Sequence, residues 1–171
     1  MLVMSTLDPL HLPIAELVRR PGAARDFDIA VPLTGFGNAV ATVDAAQPTH
    51  IEGRLEHVPE GVVVRATIEA PWEAACSRCL RPVRGTVTVH VDELFERAAI
   101  EGETYPLGED ELDLTPLVRD ALLLELPSAP RCADDCAGIC PMCGADRNVA
   151  PCDCVDTTPD PRWAALRALD L

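Results

Sequence analysis

Lysine is absent from these 171 residues, so all 14 basic side chains are arginines, set against 28 acidic ones for a formal net charge of −14. Such a chain is repelled by phosphate backbones unless its arginines are gathered on one surface. They are scattered from Arg19 to Arg167, and the stretch of Arg78, Arg81 and Arg84 is short. Nonspecific nucleic-acid binding is therefore disfavoured, and a basic protein is the natural counterpart. The missing lysine, beside abundant alanine, proline and arginine, also fits a GC-rich bacterial genome. Aromatics make up only 4% of the chain, so a core must be built from Val, Leu, Ile and Ala. No apolar run approaches the roughly 18 residues of a membrane span. The apolar N-terminal stretch is interrupted by Asp8, Pro9, His11, Pro13 and Glu16, and no basic residue precedes it, unlike a secretory signal. The expected setting is the cytoplasm, where thiols stay reduced. Hydrophobic residues reach 48%, enough for an ordinary core.

Catalytic constellations are missing as well. His11, His50, His57 and His90 are dispersed, and no glycine-rich loop is present to cradle a phosphate. Asp134 and Asp135 stand between cysteines, where turn formation suits them better than acid–base work. The chain is expected to be neither an enzyme nor a binder of small substrates.

Patterning predicts an α+β fold, an antiparallel β-sheet with a packed helix and a Cys-rich, zinc-binding C-terminal segment. A short helix is expected over Ile14–Arg20, then strands at Asp26–Leu33, Ala39–Asp44 and Ile51–Val58. From Val62 to Ala74 apolar residues alternate with polar ones, the period of a half-buried strand. Pro71 is expected at a sheet edge or bulge near that strand's end. Val87, Val89 and Val91 alternate within Thr86–Phe95, which puts residues 76–79 at the tip of a hairpin. Residues 98–111 read as loop, with an acidic group of Glu101, Glu103, Glu109, Asp110 and Glu111. Thr115 is the expected cap of a helix with Pro116 at its first position and Leu117, Ala121 and Leu124 on one face. Asp160 and Pro161 start a short terminal helix carrying Trp163, Leu166 and Leu169. Residues 1–127 hold the sheet and helix. Residues 128–171 hold the Cys-rich segment, joined to the 76–79 knuckle as one structural unit.

The eight cysteines are Cys76, Cys79, Cys132, Cys136, Cys140, Cys143, Cys152 and Cys154, and six of them fall within 23 residues. Cys76/Cys79 and Cys140/Cys143 have C-x-x-C spacing, which wraps the chain around one ion. Eight thiols make two tetrahedral four-cysteine zinc sites with none left over. Two partitions are open. In the preferred one, Cys132, Cys136, Cys140 and Cys143 share an ion, and Cys76 and Cys79 join Cys152 and Cys154. In the other, the two C-x-x-C knuckles pair, and Cys132, Cys136, Cys152 and Cys154 hold the second ion. A radical enzyme built on an iron–sulfur cluster is disfavoured, since only 28 residues follow Cys143. A rubredoxin-like iron site is disfavoured by the poverty of aromatics.

The ordered set of CSRCLRPV between strands, EDELDLTPLVRDALLLELP, CADDCAGICPMCGADRN with CDC, and DPRWAAL resembles the YceD family, described as large ribosomal RNA subunit accumulation proteins. The resemblance covers roughly residues 50–171. Its matching positions are Cys76 and Cys79, the Leu117–Leu126 helix, Cys132 through Cys143, Asn148, and Asp160–Leu166. Gly138-Ile139-Cys140 stands where the family often has GLC, a conservative departure. The resemblance implies a ribosome biogenesis factor supporting accumulation of large-subunit (23S) rRNA, with large-subunit assembly components as partners. A direct nucleic-acid-binding zinc ribbon and a redox-active thiol protein are the competing readings.

Overall fold

A computed structural model describes residues 9–154 and Arg162. Its strands are β1 (His11–Pro13), β2 (Ala24–Val31), β3 (Ala41–Val43), β4 (Thr49–Val58), β5 (Gly61–Ala75), β6 (Pro82–Glu96), β7 (Tyr105–Pro106) and β8 (Glu111–Asp113), followed by helix α1 (Thr115–Glu125). Six strands form one sheet in the order β2-β4-β5-β6-β7, with β3 also on β5, while β1 and β8 make a separate antiparallel ribbon. All pairings in the large sheet are antiparallel except β6 with β7, which is parallel. The expected architecture of a mostly antiparallel sheet with one helix is what the described residues show.

The alternation along β5 explains how the sheet packs. Val62, Val64, Ala66, Ile68 and Ala70 are buried, while Arg65 and Glu69 are exposed. Because residues directly opposite in an antiparallel pair share a face, Ile51 and Leu55 of β4 and Phe95 of β6 join the same layer. Over it lie Leu10, Ile14 and Leu17, the ribbon's Leu112, and Leu117, Val118, Ala121 and Leu122 of α1. Burying each such side chain contributes about 1.5–3 kcal/mol, the main source of stability here. The opposite face carries ion pairs, Arg54 with Asp26 at 2.9 Å and Arg65 with Glu56 and Asp92 at 2.9 and 3.0 Å. His90 is exposed on that face, where its Nδ1 lies 3.1 Å from the Thr67 hydroxyl.

Several local expectations are corrected. Residues 14–20 form turns rather than a helix, although Ile14 and Leu17 are buried as an i, i+3 pair would be. Strand β5 does not end at Pro71 but runs to Ala75. Pro71 sits where the partner changes from β4 to β3, and its carbonyl accepts the Asp44 amide at 2.8 Å. The 98–111 segment is not all loop, since it contains β7 and the start of β8. Thr115 is the first helical residue, not the cap. The cap is Leu114, and the Asp113 carboxylate accepts the Thr115 amide. Leu124 is 88% exposed, because the core-facing arc of α1 runs through Leu117, Val118, Ala121 and Leu122. The terminal helix expected after Asp160 lies outside the described residues.

Candidate metal centres

Strands β5 and β6 pair continuously from Val62↔Phe95 to Ala75↔Pro82, so residues 76–81 close a hairpin at the end of a long ladder. The Cys76 amide donates to the Arg81 carbonyl and the Leu80 amide to the Cys76 carbonyl. That knuckle leaves both thiols on its inner side. After α1 the chain stops helix formation at Leu126, which is extended before Pro127. It then returns to the hairpin tip, where the Pro130 carbonyl accepts the Ser77 amide at 2.8 Å. This contact brings Cys132 and Cys136 against Cys76 and Cys79.

The described cysteines fall into two groups of four, Cys76, Cys79, Cys132 and Cys136, and Cys140, Cys143, Cys152 and Cys154. Within each group the sulfurs lie within 4.8 Å of one another. Both partitions drawn from the sequence are overturned. The first knuckle takes its partners from the segment just after the helix, and the second from the tail that follows it. All eight thiols are free. In the first group Sγ of Cys76 and Cys136 are 3.8 Å apart, and those of Cys79 and Cys132 are 3.5 Å apart. A tetrahedron with metal–sulfur bonds of about 2.3 Å has sulfur–sulfur edges of roughly 3.8 Å. Four mutually close thiols therefore fit one divalent ion, whereas two disulfides would draw them into pairs.

Electrostatics favours ionisation of the first thiol of each C-x-x-C pair and opposes it at Cys132 and Cys154. The Cys76 thiol is pushed down to about 6, first by the Cys79 backbone amide and further by those of Arg78 and Cys132. Cys140 is pushed down to about 6 by the amides of Cys143 and Met142. Each is the first cysteine of a C-x-x-C turn, whose amides face back onto its sulfur. Cys132 is driven up to about 12, chiefly by Cys136 and then Cys79, and Cys154 to about 12, chiefly by Cys143. Without a cation, four crowded sulfurs cannot all carry charge, and a divalent ion removes that conflict.

Polar side chains around the sulfurs complete the centres. Arg81 donates through Nε to Cys79 Sγ at 3.4 Å and through Nη2 to Cys132 Sγ at 3.7 Å. Arg147 donates to Cys140 Sγ at 3.6 Å, and Asn148 Nδ2 to Cys136 Sγ at 3.5 Å. Arg78 anchors the Cys136 carbonyl at 2.9 Å. Sequence reasoning assigned no role to these residues. Their placement beside the knuckles, in CSRCLR and GADRN, was the available signal. Asp134 pairs with Arg131 at 3.6 Å, in keeping with a turn role. Neither His11, His50, His57 nor His90 belongs to either group.

Residues 64–170 match the family described as large ribosomal RNA subunit accumulation protein YceD. The chain belongs to the YceD family. Among its relatives, Uncharacterized protein Rv2926c of Mycobacterium tuberculosis (strain ATCC 25618 / H37Rv) is 37% identical over 166 residues, covering 92% of this chain and 80% of that protein. Uncharacterized protein ML1660 of Mycobacterium leprae is 34% identical over 168 residues, covering 94% and 77%. Uncharacterized protein YlbN of Bacillus subtilis is 29% identical over 161 residues, covering 91% and 94%. No solved structure matches the chain. The family match begins within β5 and takes in both cysteine groups, so the centres lie inside the part of this YceD-family chain that the family description covers. No helix among the described residues is long and apolar enough to cross a membrane.

Proposed function

We propose that this chain is a non-catalytic, cytoplasmic ribosome biogenesis factor that supports accumulation of large-subunit (23S) rRNA, with each cysteine group holding one structural zinc ion. The observation that carries the reading is a family match spanning two all-cysteine ligand sets. Such sets usually close the coordination shell, whereas catalytic zinc keeps a position open. The partner is a basic large-subunit protein or assembly factor, met through the acidic 98–111 segment and the zinc-bearing end. Glu101, Glu103, Glu109, Asp110 and Glu111 are all exposed. Direct RNA binding has less support, because many arginines are already engaged. Arg54, Arg65, Arg84 and Arg131 sit in ion pairs, Arg81 lies against two thiols, and Arg147 against another.

The test is affinity purification from the producing cell at low and at physiological salt, identifying both protein and RNA, alongside elemental analysis. Two equivalents of zinc, no iron, and a basic large-subunit component that is lost as salt rises are expected, since exposed charges are screened within about 8–10 Å. Neutralising the five acids should slow association more than it speeds dissociation. Iron with a visible chromophore would overturn the zinc assignment. Tight binding to protein-free rRNA fragments at physiological salt, unaffected by neutralisation, would overturn the choice of partner.

A further inference from the structure

Between the two cysteine groups lies a short turn that begins at Asp146 and runs through Arg147 and Asn148, closed by the Val149 amide on the Asp146 carbonyl at 3.0 Å. It lies in a small hairpin, with the Arg147 amide donating to the Gly138 carbonyl at 2.9 Å and the Cys140 amide to the Ala145 carbonyl at 2.8 Å. The tip of that hairpin is the Cys140–Cys143 knuckle, so an ion held by the second group fixes the hairpin's shape. Gly138, at φ 71°, lets the hairpin dock on the first knuckle. There the Ile139 amide reaches the Arg78 carbonyl at 3.0 Å, and a Cβ on residue 138 would come within 3.1 Å of that same oxygen.

The side chains of this turn are divided between the groups. Arg147 turns to the second group, donating to Cys140 Sγ. Asn148 and Asp146 turn to the first. Asn148 Nδ2 donates to Cys136 Sγ, while its Oδ1 accepts the Ala137 amide at 2.8 Å. Asp146 holds that amide group in place, with Oδ1 accepting Asn148 Nδ2 at 2.6 Å. Its Oδ2 lies 3.6 Å from Arg81 Nε, the guanidinium that donates to Cys79 and Cys132. One sulfur of the first group, that of Cys136, is thus touched directly from the second hairpin, and two more by an arginine of the first knuckle that Asp146 faces.

We propose that Asn148, steadied by Asp146, is a positioning residue through which the second metal site raises the metal affinity of the first. The proposal rests on reading the cysteine groups as metal sites. Partners that orient and neutralise metal ligands are typically worth about 10–100-fold in affinity. Four thiolates around one divalent ion leave an anionic site, so a donor on Cys136 strengthens the charged state that binds metal. Filling the second site holds that donor in place, and emptying it releases Asp146, Arg147 and Asn148 together.

The test is a cobalt(II) titration of the full-length, metal-stripped protein under reducing conditions, read by thiolate-to-cobalt absorption. The variants are Asn148→Ala, Asn148→Asp, the pair Cys140→Ser with Cys143→Ser, and that pair combined with Asn148→Ala. Asn148→Asp keeps the acceptor for the Ala137 amide and loses the donor to sulfur, together with its bond to Asp146. Asn148→Ala and Asn148→Asp should each weaken one of two binding phases by about tenfold or more and leave the other as in the parent. The cysteine pair should abolish one phase and weaken the survivor by a similar factor. Adding Asn148→Ala to the pair should change little, because the donor is already lost. Amide hydrogen exchange across β5 and β6 should match the parent in every variant. A combined loss equal to the product of the separate losses would overturn the coupling. So would an Asn148→Asp titration identical to the parent's. A parent that takes up no cobalt would sink the metal reading itself, an outcome distinct from uptake of two ions with independent sites.

Discussion

The Cys76–Cys79 turn closes a ladder that pairs continuously down two 15-residue strands, whereas the Cys140–Cys143 turn closes a hairpin held by a single bridge between Ile139 and Asp146. The ligands are chemically the same, but their settings differ. In the first group Cys76, Cys79 and Cys136 are buried, while in the second only Cys140 is, with Cys143 and Cys154 exposed. The position after each knuckle makes the same point. Gly144 takes φ 73° without strain, but Leu80 is held at φ 61° with its side chain 65% exposed. A left-handed leucine costs about 1–2 kcal/mol, which the rigid frame of the first knuckle sustains. The first site is a clasp between sheet and tail. The second is a small fold of its own, docked on that clasp.

Removing one ligand from each group is the hardest test of this contrast. Cys79→Ser should lose one metal equivalent and open residues 130–136 and the knuckle to hydrogen exchange. A structural zinc site of this kind contributes on the order of 10 kcal/mol of apparent binding energy to what it folds. Cys143→Ser should also lose one equivalent but loosen only residues 138–154. Equal opening of 130–136 in both variants would erase the distinction.

A smaller effect should appear on chelation. With excess chelator the second site, with Cys143 and Cys154 exposed, should release its ion before the more buried first site. A single release phase at equal rates would show that burial does not separate them.

The smallest effect sharpens what the sites share. In metal-free protein, two thiols, Cys76 and Cys140, should ionise near pH 6 rather than near the usual 9. Their folded-state values are depressed, so their contribution to stability is fully present only above the unfolded value and is lost as pH falls through about 6. Ultraviolet thiolate absorbance and a denaturant midpoint followed over that interval would check both statements. Titration of all eight thiols together near 9 would contradict them.

Much of the framework was legible in the sequence. The alternation from Val62 to Ala74 gave the central strand and its buried face, because a period of two has no other economical explanation. The same alternation, continued through Val87, Val89 and Val91, placed the CSRC knuckle at a hairpin tip. Eight cysteines with two C-x-x-C pairs gave the number of groups. Their membership was hidden, because Cys132, Cys136, Cys140 and Cys143 read as one local cluster. What separates them is the hydrogen bond from Ser77 to Pro130, a contact across 53 residues of chain that no local pattern encodes. Leu124 was misplaced for a related reason. Helical spacing marks an apolar stripe, but which arc of that stripe is covered depends on the docking of the helix, here through Leu117, Val118, Ala121 and Leu122.

The β5–β6 ladder has a consequence for reach. Fifteen residues at about 3.3 Å each make a span on the order of 50 Å. The clasp with the two cysteine groups stands at one end. The acidic segment begins at the other, where Leu107 binds back to Glu96 and β5 starts at Gly61. A compact domain of about 100 residues has a radius of gyration near 13 Å, too small to touch both ends at once. A single partner of that size that engages both must therefore be drawn out along the sheet, as an extended basic tail is.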